Sequence, residues 1–350
     1  MSDELRRCLE DLERRIDAAD EERLLAEWTD FADGHFEGDL FAPRRTRPAP
    51  PGVEWPAVSV NAALADYDAM ALQQFGGCSQ QLARAGGLVL CVRCNYGTGI
   101  LPGLFGAEPF LMDEELNTLP ACRPLGGVDA IRQVLDRGVP NLRAGWGGKV
   151  LRMGERYAAI AERHPTIGRF VHVYHPDLQG PMDVVELLWG SDLFCALYDA
   201  PELVNDLLDL VCATYTAFMR AWERIIPFPD GHAAHWGLLH RGRIMLRDDS
   251  AMNLSPEMFD RFVRPHDERL LVEFGGGGIH FCGRGDHYAA SMAGIQGLYA
   301  VNMSQPECND MEAIFRQTVD RGINLIGLPR AGVEEALRRG RPLHGRVHCA

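Results

Sequence analysis

A histidine and a cysteine stand two residues apart in the short run Ile279-His280-Phe281-Cys282-Gly283. Alternate residues of a β-strand project from the same face, so His280 and Cys282 should point in one direction. A neutral imidazole and a thiolate are common ligands of Zn²⁺, which keeps three protein ligands and one open position in catalytic sites. The pair therefore predicts a zinc site. The structural alternative is a small core cysteine beside a hydrogen-bonded histidine.

Further ionisable side chains follow other short apolar runs. Asp248 and Asp249 come directly after the run 244–247, and either acid is a candidate general base or a partner that orients an imidazole. Such a pair equally well caps the following loop. His287, five residues beyond Cys282, is a candidate catalytic acid or base, or else a solvated loop histidine.

A set of polar side chains near the ends of the runs would bind substrate. Its members are Arg93, Asn95, Tyr96, Tyr174, Arg247 and Arg330. Guanidinium groups bind carboxylates through paired hydrogen bonds, so these arginines and Arg284 would hold a substrate carboxylate. The alternative is ordinary pairing with neighbouring acids.

Eight short runs rich in apolar residues predict the strands that position these side chains. They are Val58–Val60, Leu88–Cys94, Arg169–Tyr174, Ile244–Arg247, Ile279–Cys282, Leu298–Met303, Ile323–Leu328 and Gly345–His348. Most intervening segments are long enough for a crossover helix, which predicts parallel strands. Eight parallel strands with helical connections indicate an α/β fold, a single TIM-type (β/α)₈ barrel. Such barrels carry their chemistry at the carboxyl ends of the strands.

The segment before the barrel has a different character. Residues 3–30 carry apolar side chains at helical spacing and predict an amphipathic helix, whereas residues 43–56 hold five prolines and predict an extended connector. We therefore expect an N-terminal helical extension over residues 1–56 and the barrel over residues 57–350. Within the barrel, Ser255 should cap a helix that Pro265 breaks or kinks.

Composition excludes several classes of protein. The formal charge of −14 argues against a nucleic-acid partner, which needs a clustered basic surface. The sequence contains neither an apolar stretch that would span a membrane nor a signal peptide at its N-terminus. Ten cysteines in 350 residues are too sparse for a secreted disulfide framework. We expect a cytoplasmic enzyme without a membrane partner.

Three motifs in this order resemble the uroporphyrinogen decarboxylase superfamily over roughly residues 160–350. The motifs are Gln179-Gly180-Pro181-Met182, then Arg247-Asp248-Asp249-Ser250 followed by Leu254-Ser255-Pro256-Glu257-Met258-Phe259, and finally Ile279-His280-Phe281-Cys282-Gly283. The superfamily includes the haem-pathway decarboxylase and the zinc-dependent cobamide methyltransferases. The resemblance implies the same barrel fold.

The chain is more similar to the methyltransferase branch. The decarboxylases carry an arginine-rich segment after the first strand, and the equivalent stretch here, residues 60–67, contains no arginine. They also have a tyrosine shortly after the Gly-Pro turn, where this chain has Leu187. The methyltransferases use His-x-Cys and a later cysteine as zinc ligands. The resemblance thus implies His280, Cys282 and Cys349 as ligands, with His348 and Cys308 as alternatives for the third.

The methyltransferase branch implies a mechanism in which zinc activates a thiol substrate, which then accepts a methyl group from a corrinoid or another methyl donor. The corrinoid would be free or carried by a separate partner protein, and a homodimer is a further expectation. Two alternatives remain open. The first is a metal-free decarboxylase that acts on a carboxylated, porphyrinogen-like substrate. The second is a non-catalytic barrel that binds a corrinoid or another tetrapyrrole.

Overall fold

The computed structural model describes residues 1–349. Twelve β-strands occur among these residues. The strands are β1 (Leu40–Phe41), β2 (Cys91–Val92), β3 (Glu108–Phe110), β4 (Ala121–Arg123), β5 (His172–Val173), β6 (His232–His235), β7 (Leu238–Arg241), β8 (Ile244–Arg247), β9 (Gly277–Phe281), β10 (Leu298–Met303), β11 (Asn324–Leu328) and β12 (Val347–Cys349). The architecture is therefore of mixed α/β type.

Sixteen α-helices occur over the same residues. They are α1 (Asp3–Arg15), α2 (Ala18–Asp33), α3 (Val60–Ala65), α4 (Tyr67–Ala83), α5 (Ile100–Phe105), α6 (Val128–Arg137), α7 (Gly145–Arg163), α8 (Pro165–Phe170), α9 (Pro181–Trp189), α10 (Leu193–Asp199), α11 (Pro201–Glu223), α12 (Pro256–Met258), α13 (Arg264–Glu273), α14 (Ala289–Met292), α15 (Met311–Gln317) and α16 (Arg330–Arg338). Short 3₁₀ turns cover Glu114–Leu116, Asp249–Asn253, Pro306–Cys308 and Val319–Arg321, and a π-helical turn covers Phe259–Val263. No helix among residues 1–349 is both long enough and apolar enough to cross a bilayer.

The chain divides into two compact units. The first comprises residues 1–24, 44–178 and 185–228, and the second comprises residues 25–43, 179–184 and 229–350. Candidate zinc ligands and acids all belong to the second unit.

The second unit contains a six-stranded sheet in the order β1-β12-β11-β10-β9-β8, in which every pair of neighbours is parallel. It also contains an antiparallel hairpin formed by β6 and β7. In a parallel sheet the carboxyl ends of all strands lie at one edge. The segments that follow β8, β9 and β10 are therefore brought together at that edge.

The first unit contains a parallel pair, β2 and β5, and an antiparallel pair, β3 and β4. Its predicted connector is extended, since residues 42–59 contain neither helix nor strand. Arg45 in this connector is buried and forms an ion pair of 2.6 Å with Glu21, and the backbone N–H of Thr46 donates to Asp20. Polar side chains of α2 thus hold the connector in place.

Most predicted strands occur where expected, but the first is wrong. Residues 58–60 were expected to form a strand, whereas Ser59 caps α3 by accepting a hydrogen bond from the N–H of Ala62. Alanine and leucine in the following turn favour this helix. The parallel strand at the N-terminal side is instead β1, which pairs with β12.

One helix prediction also needs correction. Residues 3–30 form two helices, α1 and α2, separated at Ile16 and Asp17. Ser255 caps a helix as expected, by accepting from the N–H of Met258. The helix is interrupted before Pro265, as predicted: the turn Phe259–Val263 widens to a π-helix, and Pro265 lies in the first turn of α13, where a missing N–H costs little.

Candidate metal centre

Three ligand-type side chains come together where β8 and β9 end. The carboxylate of Asp249, the imidazole of His280 and the thiol of Cys282 offer one ligand atom each, and these atoms lie within 4.8 Å of one another. His280 Nε2 is 3.5 Å from Cys282 Sγ and 3.8 Å from Asp249 Oδ1. We refer to Asp249, His280 and Cys282 as the ligand triad.

Strand register explains why these side chains meet. His280 on β9 lies beside Arg247 on β8 and beside Asn302 on β10. Two residues further along, the backbone N–H of Cys282 donates to Asp249 Oδ1 over 2.7 Å, and Cys282 Sγ lies 3.4 Å from Ser304 Oγ. Residues two apart on a strand lie on the same face, so the side chains form two adjacent rows across the three strands. Arg247, His280 and Asn302 form the first row, and Asp249, Cys282 and Ser304 form the second.

Asn302 fixes the tautomer of His280. Its Nδ2 donates to the carbonyl of Ile326 on β11 over 2.6 Å, which leaves Oδ1 to face His280 Nδ1, also at 2.6 Å. An amide oxygen only accepts, so Nδ1 carries the proton and donates it. The unprotonated Nε2 therefore faces the other two members of the ligand triad.

The donor set fits zinc. Imidazole nitrogen, thiolate sulfur and carboxylate oxygen are the three ligand types that proteins offer this metal. Tetrahedral coordination at the usual zinc–ligand lengths places pairs of ligand atoms about 3.4 to 3.6 Å apart. The separations of 3.5 and 3.8 Å from Nε2 need little adjustment to reach that range. A carboxylate or carbonyl that orients a metal-bound histidine is also a usual feature, and Asn302 supplies the equivalent oxygen.

Without a metal the cysteine of the ligand triad is a thiol at neutral pH. Burial raises the pKa of Cys282 above its usual value, and the nearby carboxylate of Asp249 adds to the effect. A cation bound at the triad would reverse this preference because it stabilises the thiolate.

Asp183 shapes the loop that carries Asp249. Its two carboxyl oxygens accept the backbone N–H groups of Asp249 and Ser250, at 3.1 and 2.8 Å. Asp183 is buried, and burial together with the charges of Asp248 and Asp249 raises its pKa well above the usual range. The position of Asp249 is therefore determined by a neighbouring buried acid as well as by the preceding strand β8.

Asp248, the second predicted acid, points into the interior. It is buried and faces the carboxyl group of Asp267 on α13, which is also buried. Burial and this second acid raise the pKa of Asp248, and burial raises the pKa of Asp267 to about 8. Two neighbouring carboxyl groups repel each other when both are charged, which favours the protonated form in a site of low polarity.

The predicted third ligand does not join the ligand triad. Cys349 lies on β12, three strands from β9, which corresponds to a separation on the order of 14 Å at the usual strand spacing. Burial raises its pKa to about 11. The alternative Cys308 is exposed in a 3₁₀ turn.

The other alternative, His348, is a core residue. Its ring lies 4.5 Å from that of Trp28 and 5.9 Å from that of Phe41. Its Nδ1 accepts the backbone N–H of Gly327, and burial lowers its pKa to about 3. His348 is therefore neutral and already hydrogen-bonded within the core of the second unit.

Four of the predicted substrate-binding residues belong to the first unit. Arg93 forms an ion pair of 3.3 Å with Asp177, and its backbone carbonyl accepts the hydroxyl of Tyr157. Tyr96 and Tyr174 are buried, whereas Asn95 is only partly buried. Their role in substrate binding stays a prediction.

The remaining predicted residues belong to the second unit. Arg247 is only 2% exposed, and its guanidinium carbon lies 4.6 Å from the ring centre of Trp236. Arg330 is exposed and pairs with Glu334 on its own helix. His287 Nε2 donates to the carbonyl of Leu254. Arg247 therefore lies beside His280 of the ligand triad, on the neighbouring strand, whereas Arg330 and His287 contact Glu334 and Leu254 instead.

Sequence reasoning did not single out Asn302, Asp183, Asp267 or Trp236. The signal for Asn302 is a polar residue inside the otherwise apolar strand Leu298–Met303, at the position in register with His280. Asp183 follows directly on the recognised Gly-Pro turn. The partner of Asp267 lies nineteen positions away on another element, and no local pattern reveals such a pair.

Comparison of the whole chain with protein-family models and with curated protein sequences gave no match.

Proposed function

We propose that the chain is a zinc-dependent enzyme that transfers a methyl group to a thiol, with Asp249, His280 and Cys282 as the metal ligands. The observation that supports this most directly is the orientation of His280, because Asn302 leaves its Nε2 free of a proton and directed at Cys282 Sγ. The (β/α)₈ barrel belongs to the same proposal. The barrel is supported by the presence of eight strands in parallel pairing, of which six form one sheet and two form a separate pair.

Each residue has a defined task in this proposal. His280 supplies Nε2 as a neutral ligand while its Nδ1–H donates to Asn302 Oδ1. Cys282 loses its thiol proton to solvent, and its N–H holds one oxygen of Asp249 in place. When bound, zinc would act as a Lewis acid that lowers the pKa of a substrate thiol, which makes it nucleophilic at neutral pH. A corrinoid, free or on a partner protein, is the proposed methyl donor.

Metal binding by the reduced full-length protein is the first test. We expect one equivalent of Zn²⁺ or Co²⁺, measured by metal analysis after dialysis and by the thiolate-to-cobalt absorption band. Asp249→Asn, His280→Ala and Cys282→Ser should each weaken binding severely. Cys308→Ser is the matched control, since this exposed cysteine lies outside the ligand triad.

Cys349→Ser distinguishes two possible sets of metal ligands, which share His280 and Cys282 and have either Asp249 or Cys349 as the third ligand. Retained metal supports Asp249 as the third ligand, whereas loss of metal in Cys349→Ser with retention in Asp249→Asn would assign Cys349 instead. A wild-type protein that binds no metal, or variants His280→Ala and Cys282→Ser that bind as well as wild type, would refute the metal site altogether.

Methyl transfer itself is tested with methylcobalamin and thiols under anaerobic conditions. The carbon–cobalt bond breaks and a carbon–sulfur bond forms, so cobalt keeps the electron pair and Co(III) becomes Co(I). The thiol proton passes to solvent. We expect zinc-dependent formation of cob(I)alamin, followed by its absorbance, and loss of this reaction in Cys282→Ser.

A further inference from the structure

A tryptophan stands at the turn of the β6–β7 hairpin, next to the ligand triad. The strands pair up to His235 and Leu238, so the two-residue turn consists of Trp236 and Gly237. Both have positive φ, +54° and +83°, as in the turn type that favours asparagine and glycine. Because a bulky residue at positive φ is uncommon, the side chain rather than the local backbone preference accounts for tryptophan here.

The indole contacts functional residues. Its ring centre lies 5.1 Å from the imidazole of His280, and the guanidinium of Arg247 packs on the same indole. Trp236 is only partly buried and lies beside a candidate metal ligand. Arg247, by contrast, is covered and presents almost no surface to a substrate.

The hairpin that carries Trp236 is firmly held. His235 and His240 face each other across the two strands, with ring centres 4.9 Å apart and a nitrogen–nitrogen distance of 2.7 Å. Both are buried, and His240 Nδ1 donates to the carbonyl of Arg241. The turn is therefore positioned by a buried histidine pair, which gives the indole a defined location.

A second apolar side chain lies near Cys282. Met252 belongs to the 3₁₀ turn that begins with Asp249, and it is 44% exposed. It packs against Gly283, since a Cβ placed on that glycine would be 2.8 Å from Met252 Sδ. A partly buried indole thus contacts His280, and an exposed methionine packs beside Cys282 at Gly283, so apolar side chains border a triad that is itself polar.

We propose that Trp236 and Met252 form an apolar substrate-binding surface, which selects thiols that carry a flat apolar group over small polar thiols. An aromatic ring gains from stacking on an indole and from contact with a thioether sulfur. This inference rests on the proposed function, because it requires the thiol to reach a metal at the ligand triad.

The test uses the cobalt-loaded full-length protein and two thiols of similar acidity, benzyl mercaptan and 2-mercaptoethanol. Dissociation constants are read from the change in the cobalt absorption bands. We expect wild type to bind benzyl mercaptan at least about tenfold more tightly. Trp236→Asn should abolish this preference while the hairpin persists, because asparagine suits positive φ. Met252→Gln should reduce it.

Two controls show whether Trp236 acts on the substrate or on the fold. Thiol binding is measured at saturating cobalt, so that the ratio of the two dissociation constants does not depend on metal affinity, and Tyr198→Ala, which removes an exposed aromatic ring elsewhere, should keep the full preference. Equal weakening of both thiols, or an unchanged preference in Trp236→Asn, would overturn the inference. Failure of wild type to bind cobalt would instead refute the proposed function, and the inference with it.

Discussion

At the scale of single residues, the orientation of one imidazole depends on one amide. Asn302 uses its donor on the carbonyl of Ile326 and its acceptor on His280, so neither end of the amide is free to rotate. The ligand tautomer is therefore set before any metal arrives. This arrangement is comparable in purpose to the carboxylate partners that orient metal-bound histidines elsewhere.

Replacement of Asn302 should weaken metal binding without removing a ligand. We expect Asn302→Ala to lower zinc affinity by about 10- to 100-fold, because His280 loses the partner that fixes its tautomer. Competition with a chromophoric chelator measures the affinity. Asn324→Ala is the matched control, since Asn324 is also a buried strand residue but its amide donates to Phe31 and Ala32. Equal affinities in wild type and Asn302→Ala would contradict the tautomer argument.

The buried acid Asp267 should make stability depend on pH. Its pKa is about 8 in the folded protein and about 4 in an unfolded chain, so between these values the folded state holds a proton that the unfolded state has released. The free energy of unfolding should then fall as pH rises towards 8, by up to about 1.4 kcal/mol per pH unit.

Urea unfolding at pH 5, 6, 7 and 8 measures this slope. Asp267→Asn should make it shallower, because asparagine does not titrate. Asp206→Asn, which changes an exposed acid on α11, should leave the slope as it is in wild type. If the free energy of unfolding depends on pH as steeply in Asp267→Asn as in wild type, the dependence arises from another group.

At the scale of elements, close packing between β8 and β9 sets the register that brings the ligand triad together. Gly277 is the residue at the start of β9 that meets Ile244 on β8. A Cβ on Gly277 would lie 1.8 Å from the carbonyl oxygen of Ile244. No side chain fits without separating the two strands.

Gly277→Ala should therefore destabilise the fold by about 3 kcal/mol or more, as an overpacked backbone contact does. Gly77→Ala is the contrasting case, because this glycine lies within α4 with nothing within 4 Å of the added Cβ. Alanine there should raise stability by up to about 1 kcal/mol. Thermal unfolding followed by circular dichroism compares the two. Similar losses in both variants would show that the strand contact is not the cause.

The sequence predicted the later strands better than the first one. Runs such as Ile244–Arg247 and Leu298–Met303 are bounded by polar residues or glycine and match β8 and β10 residue for residue. The run at residues 58–60 was too short to outweigh the capping serine, Ser59, that it contains. His280 and Cys282 were predictable because their relation is local, whereas Asp249 joins them only through the pairing of β8 with β9.

At the scale of the whole molecule, the ten cysteines form no disulfide in the structure, which covers residues 1–349. Two of them, Cys195 and Cys308, are exposed, and the remainder are buried or partly buried. Burial raises the pKa of most of the buried thiols, for example those of Cys78, Cys94 and Cys122. Their reactivity should be correspondingly low, since the thiolate is the reactive form.

A thiol-specific chromogenic reagent should therefore react quickly with two groups in the native protein and with all ten after unfolding in denaturant. A Cys195→Ser/Cys308→Ser double variant should lose the fast phase. Fewer than ten reactive groups in the denatured, unreduced protein would instead reveal a disulfide.

The amide of Asn302 also bears on how this chain can change in evolution. In the proposed zinc site, position 249 could carry a carboxylate, an imidazole or a thiolate, because zinc accepts all three ligand types. Position 302 has less freedom, because aspartate lacks the donor that Ile326 needs and glutamine is one carbon too long for both contacts. Among homologous sequences, the residue that never touches the metal should be the more invariant of the two.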